Sequence, residues 1–311
     1  MVRRGQRTPF LRRLTATRLV VGTVAMALLI PNSSVLEHRA VVAVFLFALA
    51  TGRGRQFLWD WLPLTAAAAL FVALRQLAAG SPFPHQGRAV AALEATIFGG
   101  TTPTAWLQLH VPTGSRALVD GLATWIHASY FFGFVLVGLW VWLRARPHFR
   151  TYTATLACTF ALGLAGYVAL PTEPPWLMAR EAGFPPAQRI IVETMRGARL
   201  TSVVVEAGRA WQSDPDALGD PNPAAAMPSV HTAVTAALGF SLFAFSPIAG
   251  VAGLLYTAAM GLSLVYLGEH FVLDVLAGVA CAALATWGAR RLARPRLVVP
   301  RVGTLETTRA G

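Results

Sequence analysis

Apolar residues gather in eight runs, at residues 19–31, 40–51, 57–79, 118–143, 151–170, 230–245, 248–267 and 271–287, separated by polar or arginine-bearing breaks. A helix needs about 20 apolar residues to cross a bilayer. The last six runs are therefore predicted as full or nearly full spans. The first two fall short and are predicted as tilted, re-entrant or flank-extended helices. The expected fold class is all-α, a polytopic transmembrane helical bundle with a six-helix core and two additional N-terminal helices.

The breaks divide into two kinds. Short ones carry arginine: Arg53 and Arg55, then "RARPHFR" from Arg144 to Arg150, then the tail with Arg290, Arg291, Arg294, Arg296 and Arg301. Long ones, residues 80–117 and 171–229, carry Pro- and Gly-rich stretches such as "GSPFPH" and "SDPDALGDPNP" and are predicted as connections outside the membrane core. Basic residues collect on the cytoplasmic side of short loops. Alternating spans then place both termini in the cytoplasm of a multi-pass cell-membrane protein and the two long connections outside. In domain terms the chain reads as an N-terminal portion with two membrane helices (1–56), a membrane domain (57–290) and a basic tail (291–311).

Composition sharpens this picture. The chain is 55% hydrophobic and 13% charged over 311 residues, with a mean hydropathy of +0.55, too apolar for a soluble domain of that length. Its net charge of +12 comes entirely from arginine, since no lysine occurs. Such an excess can signal nucleic acid, but the arginines lie between apolar runs and fit a membrane surface instead; no nucleic-acid partner is expected. Cys158 and Cys281 each lie inside an apolar run, which argues against a disulfide framework or a cysteine-based metal site. The first thirty residues look like a secretory leader, yet "PNSSVLEHR" supplies no small-residue cleavage signal, so a retained anchor is expected.

Candidate chemistry sits at one predicted membrane face. His231 opens the sixth run after "MPS", and His270 opens the eighth with Asp274 four residues on. That spacing places His270 and Asp274 one turn apart on the same side of a helix. A carboxylate there can hold one ring nitrogen and leave the other free as nucleophile or base. Ionisable groups in a span are costly and read as functional. Pro228 suits a first helical position, and Ser229 reads either as a helix cap or as a hydroxyl beside a phosphate bound at the helix N-terminus. His127 and Tyr130, in the outer half of the fourth run, read as cavity lining or as an interhelical contact. Glu173 and Glu269 also fall near this face.

At these residues the chain resembles a known family. "PSVH" (Pro228 to His231) and "GEHFVLDVLAG" (Gly268 to Gly278) are similar to the PSGH and SRxxxxxHxxxD signatures of the type 2 phosphatidic acid phosphatase superfamily, and "LPTEPPW" (Leu170 to Trp176) is similar to the PTxPP element of its inositol phosphorylceramide synthase-like, inositolphosphotransferase-like branch. The resemblance implies a phosphatase-like six-helix core and metal-independent phosphoryl transfer through a phosphohistidine, with no cofactor. His270 matches the nucleophile, Asp274 its orienting partner, and His231 the acid that protonates the leaving group and activates the acceptor. The implied partners are a lipid phosphate substrate among membrane lipids and a polyol or lipid alcohol as acceptor; oligomeric state is not readable. Three departures stand out. Val230 replaces a glycine, Leu264 stands where the third signature has arginine after Ser263, and no KxxxxxxRP element occurs. Charge on the phosphoryl group must then be met from elsewhere, with Arg180, Arg189, Arg196, Arg199 and Arg209 as candidates and Trp176 beside them.

Two other classes fit the same residues. His231, His270 and Asp274 could be three ligands of an open metal site, or a proton relay in a transporter of lipid-linked phosphates. Within the phosphatase-like reading, transfer of a phospho-headgroup is expected over simple dephosphorylation of a lipid or polyprenyl phosphate, on the strength of the PTxPP-like element.

Overall fold

A computed structural model describes residues 53–197 and 223–292. The two N-terminal runs and residues 293–311 of the basic tail lie outside these residues. In chain order the helices are α1 (Gly54–Leu74), followed by a 3-10 turn at Arg75–Ala78, α2 (Gly87–Ile97), α3 (Pro103–His110), α4 (Thr113–Arg144), α5 (Arg146–Ala169), α6 (Pro175–Met178), α7 (Ile190–Gly197), α8 (Val230–Leu242), α9 (Pro247–Tyr266) and α10 (Val272–Leu292). No strand occurs among the described residues, and an isolated parallel bridge joins Thr172 to Ala225. The protein is an all-α polytopic bundle.

All six predicted runs within the described residues are helical. Five of them, α1, α4, α5, α9 and α10, are long and apolar enough to cross a membrane, which makes this a multi-pass membrane protein. They are apolar around their circumference: α9 buries Met260 and Leu264 while Leu255 and Leu262 face outward. An outward leucine is costly in water and at ease in lipid. The sixth, α8, has 13 residues, about 20 Å at 1.5 Å per residue. It packs against α4, α5, α9 and α10 rather than facing lipid, so bilayer thickness does not set its length. Ala233, Ala236 and Ala237 are fully buried along it and let its neighbours approach closely.

The connection at 80–117 is not a plain loop, as its Pro- and Gly-rich punctuation suggested. It holds α2 and α3, and α4 begins inside it. In "GRAVAALEATI" the buried residues Gly87, Val90, Ala91 and Glu94 fall at i, i+3, i+4 and i+7, the stripe of an amphipathic helix too short to register as a span. Thr102 caps α3 by accepting from Ala105 N, with Pro103 at the first helical position.

Because α8, α9 and α10 run up, down and up, the N-termini of α8 and α10 share one end of the bundle. There Ser229 N donates to Asp274 O at 2.9 Å. The short helices cover this end: α2 touches α6 and α10, α3 touches α9, and α7 touches α4. Further along the bundle, Phe57, Trp61, Trp142 and Phe149 interlock α1 with α4 and α5, and Asp60 accepts from Trp142 Nε1 at 2.8 Å and pairs with Arg146 at 2.7 Å.

Candidate active site

Two helix starts build the site. Ser229 is the N-cap of α8, and its buried hydroxyl accepts from Thr232 N at 3.3 Å. This is the capping role, one of the two roles its sequence permits. Pro228 accordingly precedes the cap rather than occupying the first helical position, because the serine hydroxyl takes up the first-turn N–H one residue later than expected. His231 then lies in the first turn of α8. Val230, in place of glycine, is buried against α5: a Cβ on Gly163 would lie 2.5 Å from Val230 Cγ2, and one on Gly166 would lie 2.3 Å from Pro228 Cδ. Two glycines one turn apart on α5 thus form the ledge that seats Pro228 and Val230.

The second start follows a tight turn. Gly268 has φ of +81°, and a Cβ there would meet Gln188 O at 2.5 Å, so only glycine fits. The turn delivers His270 to the mouth of α10. Asp274, fully buried, accepts from Phe271 N at 2.8 Å through Oδ2 and sets the same oxygen 3.5 Å from His270 Nδ1. At 3.5 Å the contact is an ion-pair separation rather than a formed hydrogen bond. Such contacts tighten when charge develops on a substrate.

The centroids of the His231 and His270 rings are 5.7 Å apart. His127 and Tyr130 of α4 pack on His231 at 4.9 and 4.4 Å, with Phe131 at 6.5 Å. The Nδ1 atoms of His127, His231 and His270, and Oδ1 of Asp274, have no hydrogen-bond partner among the described residues. Orphaned buried polar atoms are uncommon in folded proteins, and four of them gathered at one helix end are free to meet a bound group. An imidazole with one nitrogen toward a carboxylate presents the other to a reacting atom, and a second imidazole this close can serve the same group. No cluster of three or more His, Cys, Asp or Glu among the described residues is arranged to hold a metal ion.

Positive charge arrives from the connection before α7. Arg189 pairs through Nε with Glu269 Oε1 at 2.8 Å and through Nη2 with Oε2 at 3.3 Å, beside His270 in sequence. Its guanidinium lies 4.5 Å from the ring of Trp176, which is buried, and the more exposed Arg180 lies 5.3 Å from that ring. Arg199 and Arg209 lie outside the described residues, as does the side chain of Arg196. Leu264 is fully buried and Ser263 Oγ donates to Ala259 O at 2.8 Å, so no cation is supplied from the arginine position of the third signature. Glu173 accepts from Gly87 N at 3.0 Å and pairs with His85, joining "LPTEPPW" to α2.

Two further residues support the site without belonging to any of its sequence motifs. Gln108 of α3 donates to Gln188 O at 3.0 Å and accepts from Gln188 N at 2.8 Å, a two-point latch next to Arg189. Glu94 of α2 accepts from Leu273 N at 2.9 Å at the start of α10. Its 3.6-residue periodicity with Val90 and Ala91 was the one clue available.

A sequence model of the PAP2 superfamily matches residues 88–288, from α2 to the last turns of α10. No curated protein and no solved structure matches the chain. With a helical membrane bundle and a family match over well more than half its length, the chain belongs to the PAP2 superfamily, the type 2 phosphatidic acid phosphatase superfamily that its signatures resemble.

Proposed function

We propose that the protein is a lipid phosphotransferase working through a phosphohistidine, related to the inositol phosphorylceramide synthase-like branch of its superfamily. The observation that carries this reading is the meeting of His231, His270 and Asp274 at the shared end of α8 and α10. His270 Nε2 attacks phosphorus and forms a P–N bond while the P–O bond to the leaving alcohol breaks. His231, as imidazolium, gives its proton to that leaving oxygen. Asp274 faces Nδ1 and stabilises the positive charge that the ring acquires. An acceptor hydroxyl then loses its proton to His231, its oxygen bonds to phosphorus, and His270 leaves. Arg189, with Arg180 behind Trp176, supplies the charge that the third signature lacks at Leu264; preorganised positive charge is a large contribution in phosphoryl transfer. His127 and Tyr130 wall the site on the α4 side. The arginine-rich short loops support an extracytoplasmic position for this end of the bundle.

Transfer is favoured over hydrolysis because the PTxPP-like segment is tied into the site. Thr172 N donates to Ala224 O and Ala226 N to Thr172 O, both at 2.9 Å, and Trp176 N donates to Gly268 O at 3.2 Å. The segment therefore borders both helix starts, where an acceptor must enter.

The test is incubation of the purified protein, with chelator present, with labelled lipid phosphates and phospholipids plus polyol or lipid alcohol acceptors. The expected result is a new phosphodiester, with an acid-labile phosphoenzyme trapped on quenching and both lost in His270→Ala. Free phosphate alone assigns the simpler phosphatase activity. Full turnover by His270→Ala, or its loss on chelation, sinks the reading.

A further inference from the structure

We propose that Glu94 is a positioning residue for the His270–Asp274 pair and that its proton governs the acid side of the reaction's pH profile. The inference rests on the phosphohistidine reading above. The first N–H groups of a helix have no partner within it. At α10 two carboxylates take them. Asp274 Oδ2 accepts from Phe271 N at 2.8 Å, and Glu94 Oε1 accepts from Leu273 N at 2.9 Å, reaching in from a helix 179 residues earlier. Both side chains are fully buried, and each keeps one oxygen, Glu94 Oε2 and Asp274 Oδ1, without a hydrogen-bond partner among the described residues.

Two buried carboxylates at one helix end disfavour each other as anions, and a single proton relieves the conflict. The surroundings decide where it goes. Asp274 faces an imidazole that can become positive. Among the described residues nothing comparable faces Glu94: α2 packs against α10 and α6, α6 has no titratable side chain, and Arg88 on α2 itself is paired with Glu181 at 2.6 Å. Burial, reinforced by the Asp274 charge and opposed by the Leu273 and Val272 N–H groups, pushes Glu94 up to about 7. Below that pH the proton sits on Glu94 and Asp274 alone faces His270. Above it the proton passes to water, and a second negative charge beside the pair favours a positive imidazole. The two groups then titrate as a coupled unit.

Glu94→Gln keeps a carbonyl oxygen for Leu273 N and removes the charge; Glu94→Leu removes both. The full-length protein in detergent is examined first without substrate, by nitrogen-15 NMR of its histidines from pH 5.5 to 8.5, with His270→Ala locating the His270 signal. Glu94→Gln is expected to move the pH response of the His270 signal downward relative to wild type, since the second negative charge beside the pair is gone. The acid limb of kcat/KM on a short-chain phosphatidic acid, or on whichever lipid phosphate the wild type turns over, moves with it. Glu94→Leu loses activity that Glu94→Gln retains. An unmoved His270 midpoint in folded Glu94→Gln overturns the inference even where His270→Ala is inactive. Activity in His270→Ala instead removes the phosphohistidine reading itself, whatever Glu94 does.

Discussion

At the scale of single residues, the site divides into groups that chain spacing announces and groups that it does not. His270 and Asp274 are four apart at a helix start, so the sequence already shows them facing one another. Arg189 is different. Five arginines lie in the same long connection; of the two whose side chains are described, Arg180 and Arg189, both lie against the Trp176 ring, and the pairing with Glu269 distinguishes Arg189. Arg189→Ala is expected to lower kcat by roughly 10²–10³-fold, the range for deleting one preorganised donor to a developing charge. Arg189→Lys recovers only part of this, because an ammonium cannot span both oxygens of Glu269 as the guanidinium does. Steady-state kinetics on the two variants, with Arg180→Ala as the milder comparison, checks the assignment. Equal losses for Arg180→Ala and Arg189→Ala would shift the charge-bearing role away from Arg189.

At the scale of elements, α8 shows how a departure from a family signature is absorbed. A valine where the signature has glycine needs room, and α5 supplies it with Gly163, one turn from the Gly166 that receives Pro228. The steric argument gives a reciprocal prediction. Gly163→Ala forces a methyl against Val230 and should cost about 1–3 kcal/mol, the usual range for overpacking a closed interior. Val230→Ala alone leaves a small void, and Val230→Ala combined with Gly163→Ala should recover much of the loss, since contacting residues do not add independently. Thermal melts of the four proteins in detergent measure this coupling. Melting temperatures that add independently would separate Val230 from Gly163. The length of α8 follows from the same surroundings. A helix enclosed by four others can stop after 13 residues, whereas α9 and α10, with leucines facing outward, run 20 and 21.

At the scale of the whole molecule, the proposed orientation has the His231–His270 end outside the cell. Arg180 is exposed at that end, and Arg291 lies in the last turn of α10 at the other. With native Cys158 and Cys281 replaced by alanine, Arg180→Cys should react with a membrane-impermeant thiol reagent added to intact cells. Arg291→Cys should react only after the membrane is opened. The reverse pattern would put the chemistry on the cytoplasmic face and overturn the assignment drawn from arginine distribution.

The sequence by itself determined the all-helical class and six of the helices within the described residues, and it nominated the His, His, Asp set, because each of these is written in local spacing: apolar length, a helix start, a separation of four. Tertiary structure decided what spacing cannot encode. The approach of His127 and Tyr130 to His231, the choice of Arg189 from its neighbours, the Gly163 ledge under Val230, the Gln108 latch and the carboxyl of Glu94 beneath Leu273 all join residues tens to hundreds of positions apart. Such contacts are set by how amphipathic faces and helix ends close over one another. A short helix such as α2 shows which face it buries, but the partner that receives that face is chosen only when the bundle forms.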